Sequence, residues 1–197
     1  MIESLREELL DMKRRDLEVR AGLLQAGELF DGYHPRMETL HRAHAERLGA
    51  ILDEHGWPGR SLVGGDGAEA AWLVVQHAIG APALQRRVRD LLVEAVGLGE
   101  AEPWTWASLD DRIRTFEGRL QRYGTQFDWD DEGTLSPLPI EDPEGVDDRR
   151  SELGLETLDE RVREMRESAA REGERPPADR EERRRRFERW LHEVGWR

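Results

Sequence analysis

The sequence predicts a mainly α fold: a compact helical bundle around one buried central helix, followed by a helical C-terminal extension. Residues 66–80 (DGAEAAWLVVQHAIG) form one long apolar run in a chain of 197 residues, of which 37% are charged. A helix that is apolar on all sides has to be buried. Elsewhere, apolar residues recur every three or four positions, and Pro and Gly divide the chain into segments of helical length. These observations together predict the fold class.

Four helices joined by short loops are predicted in the first hundred residues. Their expected ranges are 2–30, 35–56, 66–80 and 82–97. The second and fourth begin with Pro, which is favoured at the first helical position, and the last three end at Gly. Within the central helix, Asp66 and Glu69 have the spacing of an N-terminal capping box.

The remainder of the chain is predicted to be more irregular. A short helix is expected at 109–116, and a hairpin or irregular segment near 123–140, where Gly and Pro accumulate. We expect a helical domain over 1–155 and a charged helical extension over 156–197, with a Pro-Pro linker at 176–177. The last helix has an apolar face that docks either on the domain or on a partner: Phe187, Trp190, Leu191 and Val194.

Composition excludes several classes of protein. The formal net charge of -13 argues against nucleic-acid binding, which depends on neutralising phosphates. Nine acidic residues and two arginines lie between Gly124 and Arg150, so this segment is strongly acidic. No apolar run reaches the ~20 residues of a membrane span, and the acidic, amphipathic N-terminus is not typical of a signal peptide, so we expect a cytoplasmic protein without a membrane partner. The chain has no Cys, which excludes disulfides and thiolate chemistry, and no cofactor is expected.

Several motifs are similar to those of a known family. Four of them occur in this order: GWPGRSLVG (56–64), AAWLVVQHA (70–78), LDDRI (109–113) and RYGTQ (122–126). They resemble a bacterial domain-of-unknown-function family, number 6624, and PIEDPEGVDDRR (139–150) is similar to its usual ending. The resemblance covers about residues 5–158 and implies no activity. The resemblance marks the following positions as candidates for a site: Gln76, His77, Asp111, Arg112, Tyr123, Gly124 and Gln126.

Gln76 and His77 are the two polar side chains of the central helix apart from its first turn. Adjacent positions on a helix point about 100° apart, so the two side chains need different partners. His77 is the candidate catalytic residue, because histidine exchanges protons near neutral pH. The structural alternative is a core histidine and glutamine bonded to loop backbone.

A polar cluster downstream supplies candidate ligand-binding residues. The segment 123–126 (YGTQ) offers a phenol, a hydroxyl and an amide next to a flexible Gly, and Arg112 is able to clamp an anion. We predict a cleft between the 66–80 helix and the 123–126 segment. Its ligand-binding residues are Gln76, Asp111, Arg112, Tyr123 and Gln126.

Three functions remain open for the protein, of which the first two use this cleft. The first is binding of a small polar ligand or a peptide. The second is an enzyme in which His77 is the general base and Arg112 or Gln126 stabilises negative charge. The third is a scaffold or regulatory protein that docks a partner through the C-terminal helix.

Two patterns resemble metal sites, but no metal site is predicted. His41 and His44 stand three residues apart near Glu38, without a companion motif, and are interpreted as boundary histidines. Residues 128–133 (DWDDEG) look like the first half of a calcium loop, but Pro139 stands where an EF-hand needs a bidentate Glu. We interpret this segment as a charged turn.

Overall fold

The computed structural model describes residues 1–30 and 32–197. Within them the chain forms eight α-helices and one two-stranded antiparallel sheet, which confirms the mainly α fold with a C-terminal helix. None of the helices in these two ranges has the length and apolar character needed to cross a bilayer. The chain divides into two compact units, Met1–Trp106 and Ala107–Arg197, and each is described separately.

The first unit is built from four complete helices and the start of a fifth. These are α1 (Glu3–Ala26), α2 (Pro35–His55), α3 (Arg60–His77), α4 (Pro82–Gly97) and α5 (Pro103–Phe116), which continues into the second unit. Helix α3 packs against α1, α2 and α4. The apolar run of the sequence is therefore the central helix of this unit, as predicted.

The core of the first unit lies around α3. Small and β-branched side chains of α3 are buried, and their size lets the neighbouring helices approach closely. They are Val63, Ala70, Ala71, Val74 and Val75. The opposing side chains from α1, α2 and α4 are larger: Leu9, Leu23, Leu48, Ile51, Val88 and Leu92. These Leu, Ile and Val side chains fill the core, whereas Leu17 of α1 is 46% exposed.

Helix α3 begins earlier and ends earlier than its sequence predicts. It starts at Arg60 and ends at His77 rather than spanning 66–80. The backbone departs from helical geometry at Gly64, where φ is 75° and ψ is 168°. A left-handed φ of this kind favours Gly, and Gly64 therefore marks a kink between a short first segment and the buried segment.

The predicted capping box is not the contact that Asp66 and Glu69 make. Both oxygens of Asp66 accept hydrogen bonds from the guanidinium of Arg6, at 2.9 and 2.5 Å. Glu69 accepts one from Lys13 Nζ at 2.7 Å. Both acidic residues of α3 therefore pair with basic residues of α1.

The second unit contains the end of α5, a hairpin and three further helices. Its elements after α5 are β1 (Phe127–Trp129), β2 (Leu135–Pro137), a 3₁₀ turn (Pro143–Gly145), α6 (Val146–Glu152), α7 (Leu158–Glu172) and α8 (Arg180–Glu193). The two strands pair with Phe127 opposite Pro137 and Trp129 opposite Leu135. The hairpin lies inside the predicted 123–140 segment.

The apolar face of α8 lies against the second unit itself. The ring of Phe116 makes edge contacts with Phe187, Trp190 and Trp196, with centroids 5.6, 6.4 and 5.1 Å apart. Leu191 is fully buried. The sequence left open whether this face docks on the domain or on a partner. In the structure it packs against residues of its own chain.

Candidate active site

Asp16 is the centre of a buried polar cluster in the first unit. It lies on α1 and is fully buried. Its Oδ2 accepts a hydrogen bond of 2.8 Å from Nε2 of His41, on α2, and one of 2.9 Å from Nδ1 of His77, at the end of α3. One carboxylate oxygen thus joins three of the four helices that form the core of this unit.

Sequence reasoning missed Asp16, although the sequence carries a signal for it. Asp16 follows Leu9 and Met12 at the helical spacing of the buried stripe, and Leu23 continues that stripe one heptad later. A carboxylate on the apolar face of a helix needs buried hydrogen-bond donors. Because Lys13, Arg14 and Arg15 directly precede Asp16, the sequence around it is typical of a solvent-exposed helix face.

Tyr33 extends the cluster beyond His41. Its hydroxyl lies 2.8 Å from Nδ1 of His41. Because an ionised carboxylate only accepts, the His41 nitrogen that faces Asp16 carries its proton there, and its other nitrogen accepts from Tyr33. The tautomer is inferred from this arrangement. The polar atoms form a directed chain from the phenol through the imidazole to the carboxylate.

His77 is the member of the cluster that solvent reaches. Its side chain is 31% exposed, compared with 8% for His41 and 1% for Asp16. With Nδ1–H donated to Asp16, Nε2 keeps its lone pair, and it makes no hydrogen bond to any residue that the structure describes. In the neutral tautomer that donates Nδ1–H to Asp16, the cluster therefore presents one accessible nitrogen lone pair, on a ring that a buried carboxylate orients.

The electrostatics of the cluster keep Asp16 ionised and Tyr33 neutral. Burial works to raise the pKa of Asp16, but the hydrogen bonds from His41 and His77 outweigh it and hold that pKa well below its usual range. Burial raises the pKa of Tyr33, and the charges of Glu38 and Asp16 raise it further. At neutral pH the cluster thus contains one anion and a neutral phenol donor.

His41 and His44, the histidine pair noted in the sequence, have different surroundings in the structure. His41 and His44 are both buried, each 7% exposed, rather than at the boundary of the core. Nδ1 of His44 has no hydrogen-bond partner among the described residues, and burial lowers the pKa of this histidine. His41 joins a carboxylate of α1 instead, because its ring points across the helix interface towards Asp16.

The second group of predicted residues forms a tight turn in the second unit. Asp111, on α5, is fully buried and accepts hydrogen bonds from the backbone N–H of Arg122, Tyr123 and Thr125, at 2.6, 3.1 and 3.1 Å. It also accepts one from Oγ1 of Thr125 at 3.0 Å. Burial raises the pKa of Asp111, against the effect of these bonds. They account for its burial without a ligand.

The other predicted residues lie near this turn or on α3. Nε2 of Gln126 donates to Oγ1 of Thr125 and to the carbonyl of Ser108. Burial lowers the pKa of Arg112 to about 10, so it is charged at neutral pH. Gln76 is buried on α3. The structure thus joins His77 to Asp16 and His41, and joins Asp111 to the turn.

The predicted cleft needs residues from both units. His77 and Gln76 belong to the first unit, and the 123–126 turn belongs to the second. The cleft between the helix and the turn stays a prediction, as does the domain boundary at residue 155.

Comparison with known families agrees with the resemblance read from the motifs. The model of a family of unknown function, DUF6624, matches residues 3–171. The chain therefore belongs to this family, whose match ends one residue before the end of α7. No curated protein and no solved structure matches the chain. The family name carries no activity, so a function has to be argued from the site.

Proposed function

We propose that the protein is an enzyme in which His77 acts as the general base. The observation that supports this is the hydrogen bond between Asp16 Oδ2 and His77 Nδ1, 2.9 Å long, with the opposite ring nitrogen accessible. A base must keep a lone pair within reach of the substrate, and a partner on the far nitrogen fixes the tautomer that provides it.

Each buried partner has a separate role in this proposal. Asp16 orients His77 and stabilises the imidazolium that forms when Nε2 takes a proton from a substrate or from water. His41 donates to the same carboxylate oxygen, and Tyr33 holds His41 in the tautomer that does so. The chain therefore positions the base from three helices, which restricts its rotation.

Two alternative functions, ligand binding and scaffolding, involve the residues predicted for them from the sequence. A small polar ligand bound by Gln76, Asp111, Arg112, Tyr123 and Gln126 is compatible with an enzyme, because a substrate is such a ligand. A scaffold that docks through α8 receives less support, since the rings of Phe187, Trp190 and Trp196 contact Phe116 of the same unit.

The protonation state of His77 can be measured without a substrate. Long-range proton–nitrogen NMR correlations report which imidazole nitrogen carries a proton. At neutral pH we expect the neutral form of His77 to be protonated at Nδ1 and unprotonated at Nε2. His55, whose side chain is 24% exposed and lies outside the cluster, is the matched control: its Nε2 lies 3.4 Å from Glu54 Oε1, so it should favour the opposite tautomer, with the proton on Nε2. A neutral His77 with its proton on Nε2 contradicts the proposal.

Turnover provides the decisive test. Metabolites that raise the midpoint of thermal unfolding are first selected, because ligands of the native state stabilise it. Conversion of these compounds is then compared in the wild type, His77→Asn and His55→Asn. Asn retains a donor near the position of Nδ1 but has no basic nitrogen, so His77→Asn should lose activity by about a hundredfold or more. Equal turnover in His77→Asn and His55→Asn would exclude the general base.

A divalent metal ion is the second candidate use of the cluster. Ligand atoms of Asp16, His41 and His77 all lie within 4.8 Å of one another. Two imidazoles and a carboxylate are ligands that zinc and iron proteins use. The separations of 2.8 and 2.9 Å favour hydrogen bonds, since zinc bonds of about 2.0–2.1 Å hold neighbouring ligand atoms about 3.3 Å apart.

Zinc titration separates the two candidates. Tight binding that both His41→Ala and His77→Ala abolish, while His55→Ala retains it, would favour the metal site. Absence of binding supports the general base.

A further inference from the structure

A pocket of about 370 Å³ lies in the second unit, separate from the residues of the proposed active site. It combines three arginines and two acidic residues: Arg114, Arg122, Glu141, Asp142 and Arg149. Four of the five come from two sequence motifs, RYGTQ and PIEDPEGVDDRR, that the Asp16 cluster does not use. The fold of this unit therefore brings two distant motifs to one concave surface.

Two of the arginines are held in place by bonds to the chain. Arg114 donates to the carbonyl of Leu120 at 2.6 Å and to Glu141 Oε2 at 2.5 Å. Arg149 donates to the carbonyl of Arg122 at 3.0 Å and to Oδ2 of Asp142 at 3.0 Å. Their side chains are only 16% and 20% exposed. These two guanidinium groups form a rigid wall for the pocket.

Arg122 is different from the other two. Its half-buried guanidinium lies 5.5 Å from the centre of the Tyr123 ring and has no hydrogen-bond partner in the part of the chain that the structure describes. Its own backbone is fixed at both ends, since its N–H donates to Asp111 and its carbonyl accepts from Arg149. The backbone that carries this pocket-lining side chain is therefore fixed, and the five donors of its guanidinium make no hydrogen bond to the described residues.

The acidic residues of the pocket do not cancel its positive charge. Glu141 and Asp142 are each paired with one of the fixed arginines, Arg114 and Arg149. Arg122 remains as an uncompensated cation in a chain whose net charge is -13. Asp142 itself has a φ of 49°, a left-handed value that is costly for a residue other than Gly. Its bond to Arg149 holds it at the pocket wall in this conformation.

We propose that this pocket binds an oxyanion, a phosphate or carboxylate group, through the guanidinium of Arg122. Arginine recognises such groups through paired, charge-assisted hydrogen bonds. Arg149 and Arg114 add positive potential from the wall, although their own donors are engaged within the chain. The ligand is a small anionic molecule, because the pocket volume is at the lower end of the range for ligand sites.

The test is an NMR titration of the full chain with inorganic phosphate and, separately, with acetate. We expect millimolar binding of at least one of these anions, reported by the backbone amides of Arg122 and Arg149. Arg122→Gln should weaken that binding by about tenfold or more, the ratio that the loss of a charge-assisted contact produces. Since the Arg122 side chain makes no hydrogen bond within the described chain and loses only its contact with the Tyr123 ring, the variant should remain folded, with a melting temperature close to that of the wild type.

Arg119→Gln is the matched control, because Arg119 is a more exposed arginine, paired with Glu117 outside the pocket. It should bind the anion like the wild type. Tighter binding of phosphate than of acetate identifies a phosphate ligand, and the reverse identifies a carboxylate. Shifts that both variants reduce equally indicate an unspecific charge effect and overturn the proposal, as does the lack of any shift at these two amides. Neither outcome bears on His77.

Discussion

Replacing Asp16 by Ala removes the acceptor that joins three helices of the first unit. The carboxylate is fully buried and accepts hydrogen bonds of 2.8 and 2.9 Å from His41 and His77. Bonds to a charged group contribute about 1.5–3 kcal/mol each, so the gross loss is about 3–6 kcal/mol. Two effects reduce this loss of stability. The wild type pays the desolvation cost of a buried carboxylate, which Ala avoids, and in the variant water can hydrate the partly exposed His77. We expect a net decrease of about 2–4 kcal/mol in the free energy of unfolding of the first unit.

The assay has to report on the first unit alone. Hydrogen exchange of amides in α1–α4, measured across a urea series, meets this requirement because exchange follows opening of local structure. Asp11→Ala on the same helix is the matched control, since the Asp11 side chain is 35% exposed and pairs with Arg14 and Arg15 at the surface. Surface pairs contribute about 0–1 kcal/mol, and Ala is a good helix former, so the control should lie close to the wild type.

The effect of Asp16→Ala should depend on pH in one direction. The pKa of Asp16 is lowered in the folded protein, so its stabilising effect is present in full above the unfolded value of about 3.9. It is lost as the pH falls from there towards the folded value. The difference in the free energy of unfolding between wild type and variant should therefore be largest at pH ~7 and smaller at pH ~3. A loss at neutral pH no larger than that of Asp11→Ala, or one that does not change with pH, would refute the reasoning.

The remaining predictions concern the turn of the second unit and a glycine of α2 that serves as its control. Asp111→Ala removes four hydrogen bonds and should speed hydrogen exchange of the amides of Arg122, Tyr123 and Thr125, seen by NMR, while amides in α2 keep their rates. Gly124→Ala should cost about 2–4 kcal/mol, because φ is 68° and a Cβ would lie 2.6 Å from a methyl group of Leu158. Gly49→Ala, where a Cβ meets no heavy atom within 4 Å, should instead stabilise α2 by about 0.5–1 kcal/mol. Denaturation curves that rank these two Gly variants in the opposite order would contradict this account.

Local sequence signals predicted the elements of this fold well. Pro35 and Pro82 start helices where expected, and Asp179 caps α8 through a bond to the N–H of Glu182. Most of the apolar run at 66–80 lies in the central helix, which spans Arg60–His77. These features depend on neighbours a few residues apart, which is the range over which periodicity, caps and turn residues act.

The predicted capping box shows where inference from local sequence spacing fails. Asp66 and Glu69 have the right spacing, yet they pair with Arg6 and Lys13 of α1. Those partners are 60 and 56 residues away in sequence. A charged partner on a packed helix competes with the local backbone for the same carboxylate, and spacing alone does not show which contact wins.

The sequence by itself determined that His77 lies in a buried helix and needs a polar partner. Only the tertiary structure decided that the partner is Asp16, 61 residues earlier, and that His41 shares it. A carboxylate in a run of charged residues looks like a surface residue until its helix is packed. Burial removes water from it, and the donors that replace water come from whichever helices meet there, which is a property of packing and not of local sequence.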